Sequence, residues 1–329
     1  MSYAHGANFG HGFVKYSIID PVGQSLTPLV FPALLAPASA HVMGTLQATP
    51  TVMVGETAYW VGETALLSPH PLSSLGQQRL RDPHFIPALV RHALHHLQAH
   101  RVGAGVCVTG LPATWTRDAT HAHMLGARIR AATNLFSDIL VIPEPLGVLY
   151  ALLLDENGQV CGDDALVHGS VGVIDLGHHT LDLSIITALR PHADQLTTIT
   201  LGTAHVLDLI RTRLSTVFER DLSLHDTDQA VRTGSLVIAG HPCPLPDEWD
   251  QPLYNYGVTL ATRLHETWGT GQQLDAILLG GGGAALAPLT DAIQQRFPHA
   301  QVVPDPQLAV ARGYARLARR LVRQQEDGR

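Results

Sequence analysis

Two segments that lie far apart in the chain repeat one pattern: a strand rich in β-branched residues, a turn containing glycine, and a second such strand. The first is NFGHGFVKYSII at residues 8–19, and the second is VGVIDLGHHTLDLSIIT at residues 171–187. This pattern predicts a β-hairpin in each place, with the glycines at its tip. The repeat therefore predicts that the two halves of the chain open in the same way.

Strands and helices alternate after each hairpin. The first half continues with a helix in FIPALVRHALHHLQAH (85–100), a strand in GVCVTGLP (105–112), a helix over 119–133, a strand in ILVIPEP and a helix in LGVLYALLLDE. The second half continues with the helix GTAHVLDLIRTRL, a polar segment near 225–230, a Pro-rich loop HPCPLPDEWDQP, a helix from about 253 to 268, the run AILLGGGGAAL and a last helix from LAVARGYARLARRLVRQ. Such alternation implies largely parallel sheets.

Composition restricts the partners. The chain has 329 residues, 45% of them hydrophobic, and a formal charge of -7, so we expect a soluble protein without general attraction to nucleic acid. Cys107, Cys161 and Cys243 are widely separated, which predicts neither a zinc site nor a disulfide framework. The segment MSYAHGANFGHG lacks the basic and apolar regions typical of a leader, and no apolar run reaches the ~18 residues that a spanning helix needs, so we expect neither export nor a membrane anchor. We therefore expect a cytoplasmic protein with no membrane partner.

Lys15 is the only lysine in the chain, alongside twenty arginines. It follows a glycine tip, and such a tip can present several backbone N–H groups to an anion. A compact ammonium group meets phosphate oxygens where a planar guanidinium would be too wide. The pair of tips thus predicts a polyphosphate site, although a single tip of this kind is more often an ordinary turn and Lys15 is alternatively a solvated strand residue.

Five segments occur in the order NFGHGFVK, IPEPLGVLYA, DLGHHTLD, LLGGGGAALAPL and PDPQLAVARG. Their order resembles the nucleotide-site motifs of the actin, heat-shock chaperone and sugar kinase superfamily. The segments LGTAHVLDLI and WVGETAL further resemble bacterial actin-like proteins of the plasmid-segregating ParM kind and their archaeal relatives. The resemblance implies an α/β actin-like ATPase fold, in which two RNase H-like domains surround a nucleotide cleft and carry a small inserted subdomain.

The same resemblance implies domain boundaries. Domain I is expected to comprise residues 1–168 and 305–329, with an insertion at about 35–78, and domain II residues 169–304. ATP or ADP with Mg²⁺ is expected to lie between them. The residues implied to contact the nucleotide are Asn8, Gly10, His11, Gly12, Lys15, Gly177, His178, His179, Thr180, Asp182, Gly202, Thr203, Gly280, Gly281, Gly282 and Gly283.

Two carboxylates carry the implied chemistry. Asp175 matches the position that holds Mg²⁺ through water, and Glu144 matches one that orients the attacking water. Glu144 is alternatively a carboxylate at a helix N-terminus, where the helix dipole favours it, and both roles are compatible.

Four residues depart from the family pattern. Asn8 stands in place of an aspartate, which predicts weaker Mg²⁺ binding at that position and slower turnover. His11, His178 and His179 replace small residues at the tips. Their imidazoles either add phosphate contacts at lower pH or simply point to solvent.

The leading functional hypothesis is an ATPase that polymerises into head-to-tail filaments as its nucleotide state changes. Plasmid or DNA segregation, with a DNA-binding adaptor protein, or another cytoskeletal role would follow, without direct sequence-specific contact to nucleic acid. The alternative is a small-molecule, sugar-type kinase of the same fold, and a third possibility is a nucleotide-binding scaffold with negligible turnover. Fold alone does not separate these functions.

Overall fold

The structure is a computed structural model that describes residues 2–38, 50–98 and 102–327. Its strands are β1 (Tyr3–Phe9), β2 (Phe13–Ile19), β3 (Leu29–Pro32), β4 (Leu35–Pro37), β5 (Val52–Val54), β6 (Thr57–Val61), β7 (Gly105–Leu111), β8 (Phe136–Pro143), β9 (Ser170–Leu176), β10 (Leu181–Thr187), β11 (Arg190–Pro191), β12 (Thr197–Ile199), β13 (Ser235–Ile238), β14 (His241–Pro244), β15 (Ala276–Gly280) and β16 (Ala300–Val302). Its helices are α1 (Gln78–Arg81), α2 (Phe85–Gln98), α3 (Ala119–Ala132), α4 (Glu144–Leu153), α5 (Asp164–His168), α6 (Ala204–Val217), α7 (Leu224–Thr233), α8 (Gln251–Trp268), α9 (Ala287–Arg296) and α10 (Pro306–Asp327).

Two main sheets share one topology. The first has the order β3-β2-β1-β7-β8, and the second has the order β11-β10-β9-β15-β16, with β12 also paired to β10. In each sheet an antiparallel hairpin, β1–β2 or β9–β10, is followed by two parallel strands. Both predicted hairpins are therefore confirmed, and the repeat seen in the sequence is a repeat of sheet topology.

Helices α4 and α10 lie between the two sheets and pack against each other. One hydrophobic cluster joins the three layers: Val106 and Val108 come from β7, Leu149 from α4, Val173 from β9 and Tyr314 from α10. Tyr314 is fully buried there. Because both sheets share this core, the edges that carry the hairpin tips are held facing one another.

A small three-stranded sheet of order β4-β6-β5 lies in the segment predicted as an insertion. Val54 and Val61 from this sheet join the core of the first half, and Trp60 packs against Ala36 and Ala65. Residues 39–49 of the predicted insertion, and the end of the helix predicted over 85–100, lie outside the described residues.

The structure differs from the sequence-based prediction after α6. The segment predicted as merely polar forms helix α7, which begins with a capping box between Ser223 and Asp226 and buries Ala230 and Val231. Part of the predicted Pro-rich loop is strand β14, paired with β13. Leu245 N–H donates to Gly234 O, so the nitrogens of the prolines at alternating positions in β14 face away from the partner strand and no ladder bond is lost.

No described helix combines the length and the apolar character that a bilayer crossing requires.

Candidate functional site

The two hairpin tips meet at the interface between the halves. In the first hairpin, Asn8 pairs with Lys15 across the strands. In the second, Asp175 pairs with Asp182. A Cβ atom on Gly12 would lie 2.8 Å from the His178 ring, so only a residue without a side chain allows the tips to approach this closely.

The second tip is held by the segment that leads into α6. Gly202 N–H donates to His179 O at 3.1 Å, Thr203 N–H to Gly177 O at 3.0 Å and Ala204 N–H to His178 O at 2.8 Å. Gly202 and Thr203 therefore support the tip through their backbone, while Gly177 itself borders the cavity described next.

A narrow cavity lies between the tips, and most residues predicted from the phosphate motifs line it. Backbone from both tips, the side chains beside them and the N-terminal part of α10 form its wall. The lining residues are Asn8, Gly10, His11, Lys15, Glu144, Asp175, Gly177, His178, Thr180, Gly281, Gly282, Gln307 and Val310. The structure thus brings together Lys15, Glu144 and Asp175, which lie far apart in the sequence.

Charge in this cavity is balanced between one ammonium and two carboxyl groups. Burial lowers the pKa of Lys15, and the charges of Asp175 and Glu144 oppose that shift. Burial and Asp182 raise the pKa of Asp175 to about 7, with Lys15 opposing. Burial, Asp175 and Asp182 raise the pKa of Glu144 well above its usual value. A further cation bound here would favour both ionised carboxylates.

Glu144 is the first residue of α4, so the helix-terminus interpretation describes its position. It is also buried, and Asn8 Nδ2 donates to its Oε1 at 3.4 Å. The two roles expected for Glu144 are therefore compatible in this geometry, because the helix start directs the carboxyl group into the cavity.

The four glycines at residues 280–283 do not all border the cavity. Gly281 has φ of +88°, and a Cβ atom there would lie 2.3 Å from Asp175 Oδ1. Both the positive φ and the lack of space for a Cβ atom require glycine at this position. Gly281 and Gly282 border the cavity, whereas Gly280 ends β15 and Gly283 packs over Leu176 and Thr203.

Asp182 lies outside the cavity lining. It is buried, and its Oδ1 accepts hydrogen bonds from Ala113 N–H at 2.7 Å and from the Thr198 hydroxyl at 2.5 Å. Since Ala113 follows β7 of the first sheet, this carboxyl group ties the two halves together. Its predicted contact with nucleotide stays a prediction.

The residues present fit a phosphate and a metal held through water. Asn8 Oδ1 is buried without a hydrogen-bond partner among the described residues, and it borders the same cavity as Lys15. In the described part of the chain, no three His, Cys, Asp or Glu side chains are grouped as direct metal ligands. A magnesium ion here would therefore depend on water and phosphate oxygens for most of its coordination, as this ion commonly does.

Solved structures of other proteins share this architecture. The actin-like protein Alp7A superposes with a TM-score of 0.75 at 16% identity, covering 100% of this chain and 99% of that chain. MreB5 of Spiroplasma citri, bound to ADP, gives a TM-score of 0.72 at 14% identity, covering 100% and 99%. A ParM filament subunit from Clostridium botulinum gives 0.68 at 15% identity, covering 96% and 99%.

Residues 173–294 match the family model described as the C-terminal part of the archaeal actin homologue MreB-like. The chain has an actin-like fold, and this segment is similar to the archaeal MreB-like family. No curated protein matches its sequence. The predicted resemblance and the predicted fold class are confirmed.

Helix α7 supplies two polar residues that the sequence interpretation missed. Arg232 Nε donates to Asp228 Oδ2 at 2.8 Å, and Arg232 Nη2 donates to Gly282 O at 3.1 Å. The pair thereby fixes the glycine run at the cavity wall. The spacing of Asp228 and Arg232, four residues apart, is a helical ion-pair signal that could have identified it.

The tip histidines are partly buried, not directed to solvent. His11 Nε2 accepts a hydrogen bond from Gly76 N–H at 3.2 Å, and its ring centroid lies 4.9 Å from that of His179 and 6.0 Å from that of Trp115. Burial lowers the pKa of His11 to about 2 and that of His178 to about 4. Titration of these two residues near neutrality, one of the two expectations, is not supported.

Proposed function

We propose that this chain is an ATPase that binds Mg-ATP between its two halves and assembles into filaments whose stability depends on the nucleotide. The observation that carries the proposal is the meeting of Lys15, Asp175 and Glu144 between two glycine tips. The solved relatives support it: MreB5 was crystallised with ADP, and the ParM structure is a 15-stranded filament.

Each residue has a role in this proposal. Lys15 and the N–H groups of both tips bind phosphate oxygens, and Asp175 accepts hydrogen bonds from waters of the metal. Glu144 accepts the proton of the attacking water. Bound ATP would supply the terminal phosphoryl group, which passes to water to give ADP and inorganic phosphate, and Mg²⁺ held beside Asp175 would supply neutralisation of the phosphate charge.

The domain division proposed is residues 1–168 with 305–329, and residues 169–304. It is supported by the two sheets, which comprise β1–β3, β7 and β8 in one and β9–β12, β15 and β16 in the other. Closure of these units on nucleotide would favour head-to-tail contacts with further copies of the chain. Plasmid or DNA segregation through a DNA-binding adaptor in the cytoplasm, or another cytoskeletal task, is the proposed use of the filament.

The test is right-angle light scattering with pelleting of the purified chain, in Mg-ATP, in Mg-ADP and without nucleotide. We expect scattering to rise with ATP and to decay as phosphate appears. Lys15→Met should abolish both signals, whereas Arg213→Ala, which removes an exposed cation from α6, should retain them.

Two results would redirect the proposal. ATP consumption only in the presence of an alcohol acceptor, without assembly, would indicate the kinase alternative. Nucleotide binding with neither assembly nor turnover would indicate the scaffold.

A further inference from the structure

Arg79, on the short helix α1 that follows the insertion, is a buried cation without a full set of partners. Its side chain is 3% exposed, and its Nη2 atom has no hydrogen-bond partner within the described part of the chain. The Phe85 ring, centred 5.5 Å from Cζ, offers a cation–π contact. Burial lowers the pKa of Arg79 to about 10, so the side chain remains charged at neutral pH. A buried, unsatisfied guanidinium is costly and requires an explanation.

The position of Arg79 relates it to the nucleotide cavity. Arg79 lines a small second cavity together with His11, Trp115 and Glu144. His11 and Glu144 also line the cavity that contains Lys15 and Asp175. The two cavities therefore adjoin at His11 and Glu144, with Arg79 bordering one of them and Lys15 the other.

The segment around Arg79 is fixed at both ends. Gly76 N–H donates to His11 Nε2 at 3.2 Å, which ties the segment to the first tip. Arg128 of α3 donates to Leu80 O at 3.0 Å and to Arg81 O at 2.7 Å. The guanidinium is therefore positioned by backbone contacts on either side of it, although its own donors are not all used.

We infer that Arg79 is a catalytic cation, supplied in cis by the segment after the insertion, that binds the terminal phosphoryl group while it is being transferred. The inference rests on the proposed function. During hydrolysis the water oxygen bonds to the terminal phosphorus, the water proton passes to Glu144, and the electron pair of the broken bond stays on ADP. Arg79 neutralises the charge of the phosphoryl group from the side opposite Lys15, where a planar fork of donors suits phosphate oxygens.

This role predicts selectivity for the transferring state over the product. ADP has no terminal phosphoryl group to meet Arg79, so removing the guanidinium should leave ADP affinity within about threefold of the unaltered chain. Binding of ADP with aluminium fluoride, a mimic of the transferring group, should weaken at least about 30-fold in Arg79→Gln, and phosphate release should fall by about 10²–10³-fold.

The matched control is Arg319→Gln. Arg319 is a second buried arginine with unpartnered guanidinium atoms, but it lies in α10 and donates to Pro21 O at 3.0 Å. Its loss should leave the ratio of the two affinities unchanged. Trp115 shares the small cavity with Arg79, so binding of aluminium fluoride should change its fluorescence, and Trp115→Phe should remove that change.

A second measurement uses the unaltered chain and does not depend on the folding of a variant. Hydrogen exchange of residues 78–81 should slow at least about threefold when aluminium fluoride is added to the ADP complex, because α1 would then be held through Arg79.

The outcomes separate the two claims. An unchanged affinity ratio in Arg79→Gln, an equal loss of ADP affinity in both arginine variants, or unchanged exchange at residues 78–81 would overturn the inference alone. An unaltered chain that binds neither ADP nor ATP would overturn the proposed function, and the inference with it.

Discussion

The two glycine hairpins have the same backbone plan but are stabilised by different means. The second tip, residues 177–180, is fixed by backbone hydrogen bonds from residues 202–204 of its own half. The first tip is also fixed within its own half, because Ala33 N–H donates to Gly12 O at 2.9 Å, and the bond from Gly76 to His11 joins it in addition to the end of the insertion. Both tips are therefore held by backbone hydrogen bonds, whereas the first also depends on a side-chain contact with the end of the insertion.

The hairpins also carry different charges at equivalent positions. Lys15 faces Asn8 across the first hairpin, whereas Asp175 faces Asp182 across the second. A site with a cation on one wall and a carboxylate on the other can bind phosphate and metal together. The comparison teaches that the two hairpins share a backbone plan, whereas the charged groups beside their tips differ.

The largest effect is expected when the cation of the first hairpin is removed. Lys15→Met should weaken ATP binding by about 10- to 150-fold, since a hydrogen bond to a charged group contributes about 1.5–3 kcal/mol. Thr180→Val on the second hairpin removes a neutral hydroxyl and should cost about fivefold. Titration calorimetry with ATP measures both, and equal losses would contradict the division of roles.

The charge difference between the hairpins can be tested by replacing the carboxylate of one with an amide and the amide of the other with a carboxylate. Asp175→Asn should lower phosphate release by about 100-fold. Asn8→Asp restores the carboxylate of the family pattern beside Glu144, so it should increase the stimulation by Mg²⁺ while destabilising the nucleotide-free chain. That destabilisation is about 1.4 kcal/mol for each unit by which the new charge raises the pKa of its neighbour.

Two measurements check these variants. The first is the rate of phosphate release as Mg²⁺ is titrated, and the second is urea unfolding without nucleotide. An Asn8→Asp variant that is neither less stable alone nor more responsive to Mg²⁺ would show that Asn8 does not face the metal.

The link between the first tip and the insertion should be sensitive to His11. His11→Gly removes the acceptor of Gly76 and should accelerate hydrogen exchange at residues 76–81 about fivefold, the equivalent of one ordinary hydrogen bond. The matched change His178→Gly, on the second tip, should leave that segment unchanged. Equal responses would mean that the two tips are anchored alike.

The smallest effect is expected from pH. The pKa values of His11 and His178 lie at about 2 and about 4, so neither charge changes between pH 6 and 8 and ATP affinity should vary less than about twofold through these groups. The free energy of unfolding, in contrast to ATP affinity, should depend on pH. Because the unfolded histidines bind protons near pH 6.5 and the folded ones do not, unfolding becomes easier as pH falls below 6.5.

Urea unfolding at pH 7 and pH 5 tests whether the free energy of unfolding falls on acidification. His178→Gln should reduce the loss of stability on acidification, and an unchanged loss would mean that this imidazole is not buried in solution.

Most residues of the cavity between the tips were predicted from the sequence, through the glycine turns and the resemblance to actin-like proteins. Lys15 and Asp175 lie beside glycine turns, and Glu144, implied by the resemblance, begins a helix directly after β8. The contacts of Arg79, Arg232 and His11 were not predictable in this way, since each depends on a segment distant in the sequence. No spacing in the chain relates Gly76 to His11 or Arg232 to Gly282.

The amino-acid sequence by itself determined the two hairpins, the alternation of strands and helices, and the glycine positions, because hydrophobic periodicity and backbone freedom act over a few residues. Only the tertiary structure decided which side chains share a cavity. Packing of α4 and α10 between the sheets brings the hairpins together, and burial then shifts the pKa of Asp175 and Glu144. Electric charge and desolvation depend on distance in space, so a sequence without its fold does not specify them.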